Sequence, residues 1–469
     1  MEGLTGRLGQ HIAQVSYDEI PHEIRELTKL GILDSYAAAV AGSLSPIARK
    51  VAAQTMAWGG REESTVWVYG GKLPAPQAAL LNGMLVHSLD MDAVHDDAIV
   101  HGFTSVVPAA IAVAEEVGAS GRDLIAAVAV GTDFAVRMGL ASGFYHGFIL
   151  TATLGGFGAA AASSRVLGLD SRQTLNALGI YYSQAAGNRQ AFADAASTTR
   201  YQPGFSARNG ALSAYFARRG LSGARHALEG RFGYFNLYFE GTEPNIEALL
   251  ADLGQRYESA NISFKPYPSC RGTHAPVEAT LKIMTQNGIR PEQVDEILVR
   301  TPTSSLFTLI GRPFEVKPDA HVDAQYSIPY AVATAVLRGG FFVRDLYLKA
   351  IVDPVVLKMA ARVKVFPEFE VANRNALTPV EVEIRLLDGQ RHSLKLDFSK
   401  GHPRDPMTHD DLTEKFRRTV REIGTPEAAP IAERIIELVD VLENLPDIRE
   451  LGGLLGKVRT DSSSFGSDD

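Results

Sequence analysis

Between His87 and His101 the chain reads His87-Ser88-Leu89-Asp90-Met91-Asp92-Ala93-Val94-His95-Asp96-Asp97, with His101 four residues further on. Three histidines and four aspartates in so short a stretch, set between two apolar segments, exceed what a solvated helix face requires. Three chemistries fit these residue types. Some of the residues suit capping of a helix that begins near Thr104 or Ser105. His and Asp are also ordinary ligands for zinc, manganese or iron. No second ligand pair such as HExxH follows to complete a shell, so the metal reading is set aside. The third chemistry is general acid–base work on a carboxylate substrate.

A second cluster reads Ser263-Phe264-Lys265-Pro266-Tyr267-Pro268-Ser269-Cys270-Arg271-Gly272-Thr273-His274. Two prolines and a glycine hold Lys265, Arg271 and His274 in a stiff, non-helical turn, an unusual place for cations unless they face an anion. Between the clusters lie Gly143-Phe144-Tyr145-His146 and Thr199-Arg200-Tyr201-Gln202-Pro203-Gly204. Each sets a proton-transfer or anion-binding group in a Gly/Pro context. Cys270 is the single cysteine. No Ser/His/Asp or Cys/His pairing can be fixed from spacing to make it a nucleophile.

The elements that must position these residues change character along the chain. From Pro21 to about Gly254 the sequence is rich in Ala, Leu and Val at helical spacing, with Gly118, Gly121, Gly168 and Gly220 placed as caps or interhelical turns. The run Gly155 to Ser163 superficially offers a dinucleotide fingerprint at Gly156 and Gly158. No buried strand precedes it, and close helix packing explains the small residues equally well. Val294 to Arg300 then reads as a strand. Val380, Val382 and Ile384 alternate with charged residues before the turn Asp388-Gly389, and Leu394, Leu396 and Phe398 return, which predicts a hairpin. Pro329–Leu337 and Arg344–Ile351 suit helices. A stripe of Ile431, Ile435, Leu438, Val439 and Leu442 marks a helix near the end, followed by a Ser/Gly/Asp tail. The fold predicted is mainly α with an α+β part. An all-helical domain is formed from both chain ends (1–264 and 402–457), with a smaller inserted α/β lid domain (265–401) and a disordered tail (458–469).

Composition bounds the function. With 469 residues, 21% charged and 45% hydrophobic, the chain can bury a large core, and one cysteine removes disulfide scaffolds and all-Cys metal sites. A net charge of -8 without a basic run argues against nucleic acid. The N-terminus has no basic segment followed by an apolar one, and no stretch approaches the roughly 18 apolar residues of a membrane span. The expectation is a soluble cytoplasmic protein with neither membrane nor nucleic-acid partner.

Taken in order, seven blocks resemble the MmgE/PrpD family, over nearly the whole chain. They are His87 to Asp92 with His101; Val106-Val107-Pro108-Ala109-Ala110; Thr151 to Ala162; Pro203-Gly204 to Gly210; Lys265 to Cys270 with His274; Tyr326-Ser327-Ile328-Pro329-Tyr330; and Lys400-Gly401-His402-Pro403 with Asp405-Pro406-Met407. The family includes 2-methylcitrate dehydratase, cis-aconitate decarboxylase and iminodisuccinate epimerase. The resemblance implies a helical domain with an α/β lid, an active site in the cleft between them, a homodimer, a small-molecule carboxylate substrate, and no metal or organic cofactor. This chain departs from the family pattern at Ala93-Val94, where Asp-Thr is common, and at Gly102-Phe103, where Pro-Ser follows the histidine. It also departs around Tyr145-His146, where the histidine is displaced, and at Thr199, where a lysine is expected.

The family's reactions move a proton beside a carboxylate or carbonyl, which calls for cations around the developing negative charge and a base of tuned pKa. On that resemblance the catalytic candidates are Asp90, His101, Tyr145 and Lys265, with His101 oriented by Asp90 and Tyr145 on the opposite face. His146, Arg200, Cys270, Arg271 and His274 are candidates for substrate binding. A hydro-lyase resembling 2-methylcitrate dehydratase is the leading expectation. An epimerase or a decarboxylase is the alternative, and a non-catalytic carboxylate-binding protein is the reading from another class.

Overall fold

Alanine and glycine at contact positions let helices approach until backbones nearly touch, and the helical part of the molecule is assembled that way. The computed structural model describes residues 3–142, 147–194, 196–317, 320–373, 375–423 and 425–458. The chain divides into two compact units. The first comprises the described residues of Met1–Ser88, Asp92–Ile262 and Thr408–Asp469, the second Leu89–Met91 and Ser263–Met407. Of the expected tail, 458–469, Val458 is described and is buried, and the rest lies outside the described residues, as do Tyr145 and His146.

In the first unit the Leu150–Val166 helix is central, packed by Gly102–Val117, Gly121–Ala141 and Gln202–Arg218. Its small residues are there for contact: a Cβ at Gly156 would lie 2.1 Å from the Tyr181 ring, and one at Gly158 2.6 Å from the Gly131 carbonyl oxygen. The glycine run is thus the interior of a continuous helix, and among the described residues no strand leads into it to make a nucleotide loop. Gly118, at φ 67°, ends the Gly102–Val117 helix in the left-handed conformation that costs glycine nothing. Gly121 is not a cap. It opens the next helix behind Ser120, whose hydroxyl accepts from the Asp123 N–H, and a Cβ there would strike the Leu442 carbonyl.

The Gly121–Ala141 helix corrects one expectation. By length and composition it could cross a membrane, yet 94% of its apolar window is buried by the surrounding helices. It also carries the buried ion pair Asp133–Arg137 at 2.7 Å. Near the end of the chain, His409–Ile423 packs on His22–Gly42. Ala428–Asp440 buries Ile435, Leu438 and Val439, the stripe read from the sequence.

The second unit holds a four-stranded sheet in the order Val363–Phe369, Val294–Pro302, Val380–Leu386, Arg391–Leu396. The first pair is parallel and the other two antiparallel. Val380, Val382 and Ile384 are buried, and the His274–Asn287 helix packs on the strand they line. Glu381 and Glu383 alternate with them and Arg385, next after Ile384, pairs with Glu296 at 2.9 Å, so alternation gives the sheet one apolar and one charged side. Ile328–Arg338 is the helix expected there. Arg344–Ile351 is broken into a 3-10 turn, Val343–Leu346, and the short Leu348–Ile351 helix. The unit continues to Met407 rather than ending at 401. Phe264 N–H donates to the Gly401 carbonyl and Gly401 N–H to Asp405, which ties that segment in. The fold is mainly α with an α+β part, as the sequence predicts.

Candidate active site

In the first unit, His87 is the last residue of the Ala75–His87 helix and His101 immediately precedes Gly102–Val117. Close packing sets both ends. A Cβ at Gly204 would meet Leu80 O at 2.6 Å, so the Gln202–Arg218 helix lies directly on Ala75–His87. The Ser105 hydroxyl donates to Pro203 O at 2.9 Å, and the His101 N–H donates to the Thr151 hydroxyl at 3.1 Å. These contacts place the two imidazoles edge to face, with ring centroids 4.8 Å apart and planes at 83°.

Both rings close on Asp92. His87 Nδ1 lies 2.9 Å and His101 Nδ1 2.8 Å from Asp92 Oδ2, and the Thr104 hydroxyl donates to the same oxygen. Asp92 is buried, 1% exposed. Burial by itself raises its proton affinity, but the His101 and His87 imidazoles outweigh it and hold the carboxyl well below the usual range. Thr104 belongs to the first turn of the Gly102–Val117 helix, where exposed N–H groups also favour negative charge.

An ionised carboxylate only accepts, so His87 Nδ1, hydrogen-bonded to it, is the donor and its Nε2 is the atom left to exchange a proton, while His101 Nδ1 stands at ion-pair distance from the same oxygen. His87, Asp92 and His101 also offer donor atoms within 4.8 Å of one another, a two-His, one-carboxylate set of the kind that holds iron or zinc. A carboxylate beside two imidazoles also suits an acid–base cluster.

In the second unit, Asp90 sits at φ 54°, a left-handed conformation that Asp tolerates better than most residues. Lys265 Nζ lies 2.7 Å from Asp90 Oδ1 and 2.9 Å from the Asp90 carbonyl oxygen. This corrects the expected pairing: the carboxylate on His101 is Asp92, because the left-handed turn gives Asp90 to Lys265. Two of the three ammonium hydrogens are committed to Asp90, which leaves one for another acceptor. Lys265 is 1% exposed, so that donor acts in a low-dielectric setting.

Lys265 is anchored by its neighbours. Gly401, at φ 88°, lets the chain pass so close that a Cβ would lie 1.9 Å from the Phe264 carbonyl oxygen. Arg271 donates to the Ser399 hydroxyl at 2.6 Å and reaches the carbonyls of Ser399 and Lys400 at 3.4 Å. Arg271 thus braces the Ser399–Lys400 segment. His274 is buried, with Nε2 3.2 Å from Ser269 O, and Cys270, also buried, donates its N–H to Gln325 O at 2.9 Å. Burial, then the Arg271 and Lys265 charges, hold His274 well below the ordinary imidazole value, so it is neutral at pH 7. Arg200 is buried at the end of the Ser197–Arg200 turn, ahead of the Gln202–Arg218 helix.

Sequence reasoning named the His87–His101 stretch as chemical but did not assign roles to His87, Asp92 or Thr104. The usable signal was the position of His87 and His101 at two facing helix ends, with an aspartate between them.

Residues 6–247 match the MmgE/PrpD N-terminal domain and residues 267–444 the MmgE/PrpD C-terminal domain. Cis-aconitate decarboxylase of Homo sapiens is 26% identical, the alignment covering 97% of this chain and 95% of the relative. The protein of the same name from Aspergillus terreus is 29% identical, covering 97% and 96%, and that of Mus musculus 27%, covering 97% and 94%.

Proposed function

Since the chain belongs to the MmgE/PrpD family, we propose that it is a lyase that removes carbon dioxide from an unsaturated tricarboxylate, with cis-aconitate the first substrate to try. The observation that carries this reading is the pair of imidazoles against Asp92 Oδ2, an arrangement suited to general acid–base work. The relatives named for decarboxylation, aligned over nearly their full length, move that reaction ahead of the hydro-lyase expected from sequence.

The chemistry is simple to balance. The C–C bond to one carboxylate breaks, carbon dioxide leaves, and the electron pair shifts along the alkene to a carbon that must take up one proton. A general acid supplies it, and solvent then restores the acid. Electron density passes through carbon next to the remaining carboxylates, so a fixed cation lowers the barrier. His101 and His87 supply the first requirement. Within the second unit, Lys265, aligned by Asp90, is the candidate for a fixed cation.

Dehydration is the second reading, and one specific feature favours it: two imidazoles on a single carboxylate offer a base and an acid side by side, which elimination of water requires. The two reactions are told apart by incubating the protein with cis-aconitate and with saturated hydroxy-tricarboxylates in heavy water and following products by proton NMR. A new methylene alkene with carbon dioxide release supports decarboxylation. Interconversion of the alkene with a hydroxy acid supports the second reading and overturns the first.

A further inference from the structure

Lys415 and Asp34 are separated by most of the chain, yet Lys415 Nζ lies 2.6 Å from Asp34 Oδ1, with 5% and 2% of the two residues exposed. Asp34 is on the His22–Gly42 helix and Lys415 on His409–Ile423, both in the first unit. Replacing a buried ion pair by apolar groups of similar volume is often neutral for stability. Stability alone therefore does not account for the pair, and its location supplies another role.

The His22–Gly42 helix runs against both helix ends that carry the imidazoles. A Cβ at Gly31 would lie 2.4 Å from the Phe103 ring, next to His101 and Thr104. A Cβ at Gly42 would lie 1.9 Å from the Leu85 carbonyl oxygen, two residues before His87. Asp34 is three residues beyond Gly31 and so shares the face turned to Phe103. We infer that Asp34 and Lys415 are positioning residues, clamping this helix so that His87 and His101 both reach Asp92. Burial raises the Asp34 proton affinity, Lys415 opposes it, Asp92 raises it further and the Ala93 amide lowers it, which puts Asp34 within electrostatic reach of the Asp92–Ala93 backbone.

The test has two readouts, and only the kinetic one rests on the lyase reading. The imidazole N–H protons held by Asp92 are observed as downfield proton NMR signals of the full-length protein without substrate. Asp34→Asn and Lys415→Met are compared with the double variant, which carries no unpaired buried charge. The inference predicts a folded double variant whose downfield signals are shifted or lost. It also predicts kcat lower by on the order of 10–100-fold with KM changed less than threefold, the pattern of misplaced catalytic groups. Lys415→Arg, which restores the charge, should recover part of both readouts. Unchanged signals in a folded double variant overturn the inference, and so does a double variant that cannot fold, since the pair would then be holding the fold rather than the histidines. Wild-type protein inert toward cis-aconitate would refute the lyase reading alone and leave the NMR comparison to decide this one.

Discussion

His101 Nδ1 lies 2.8 Å from Oδ2 of the buried Asp92, an ion-pair distance. His87 shares the same oxygen at 2.9 Å. On the proposed function the two rings act as one group, and the consequences are measurable.

Groups that work as a unit are not additive when removed. His101→Asn and His87→Asn should each lower kcat, the more severe by on the order of 100-fold or more. The double variant should be little worse than the more severe single one. Steady-state kinetics on the three folded variants decides this; losses that multiply would mean independent roles.

Lys265→Met removes a cation and leaves Asp90 buried without its partner. The expected result is a rate loss on the order of 100-fold or more, with destabilisation of about 3–5 kcal/mol. Adding Asp90→Asn should recover much of the stability and none of the activity. Recovery of turnover in that double variant would exclude Lys265 from the chemistry.

Gly401→Ala tests the support under Lys265. At φ 88°, with a Cβ placed 1.9 Å from the Phe264 carbonyl oxygen, alanine must push the two segments apart. A cost of roughly 1–3 kcal/mol is expected for the backbone alone, read as a lower Tm, with reduced activity. An unchanged Tm would mean the two segments separate freely.

The hairpin of Val380–Leu386 and Arg391–Leu396 was legible because one side of the first strand is buried and the other charged, so period-two alternation survives in the sequence. The parallel strand Val363–Phe369 was not: only Val363 is buried, and Pro367 interrupts the run. The two polar clusters stood out by residue type. The partner of each aspartate did not, because the choice between Asp90 and Asp92 depends on a left-handed φ at Asp90 that no residue pattern announces. The Asp34–Lys415 pair was equally silent, since each residue reads as one charge on an ordinary helix.

His274 gives a pH dependence with a definite sign. Its folded-state value is lowered, so as pH falls through about 6.5 the unfolded chain binds a proton there and the folded one does not. Its contribution is complete above that pH and is lost as pH drops. His274→Gln should reduce the slope of unfolding free energy against pH, between about pH 6.5 and 5, by up to about 1.4 kcal/mol per unit. His11, lowered to about 4, and His95, also lowered, keep the rest of the slope. Chemical denaturation across that range reads it directly, and an identical slope in the variant would show that His274 titrates normally in the folded protein.

The measurement that bears most directly on the account is carbon dioxide release from cis-aconitate by Asp92→Asn beside wild type, in heavy water. Asparagine keeps the shape but has one amide acceptor for two imidazoles and no charge to support imidazolium. The account predicts that wild type releases carbon dioxide and places one deuteron on carbon, and that the folded Asn variant does so at least about 100-fold more slowly. KM should change little. Wild-type kcat in the folded Asp92→Asn protein would contradict it, because the proton would then come from somewhere other than the imidazoles that Asp92 holds.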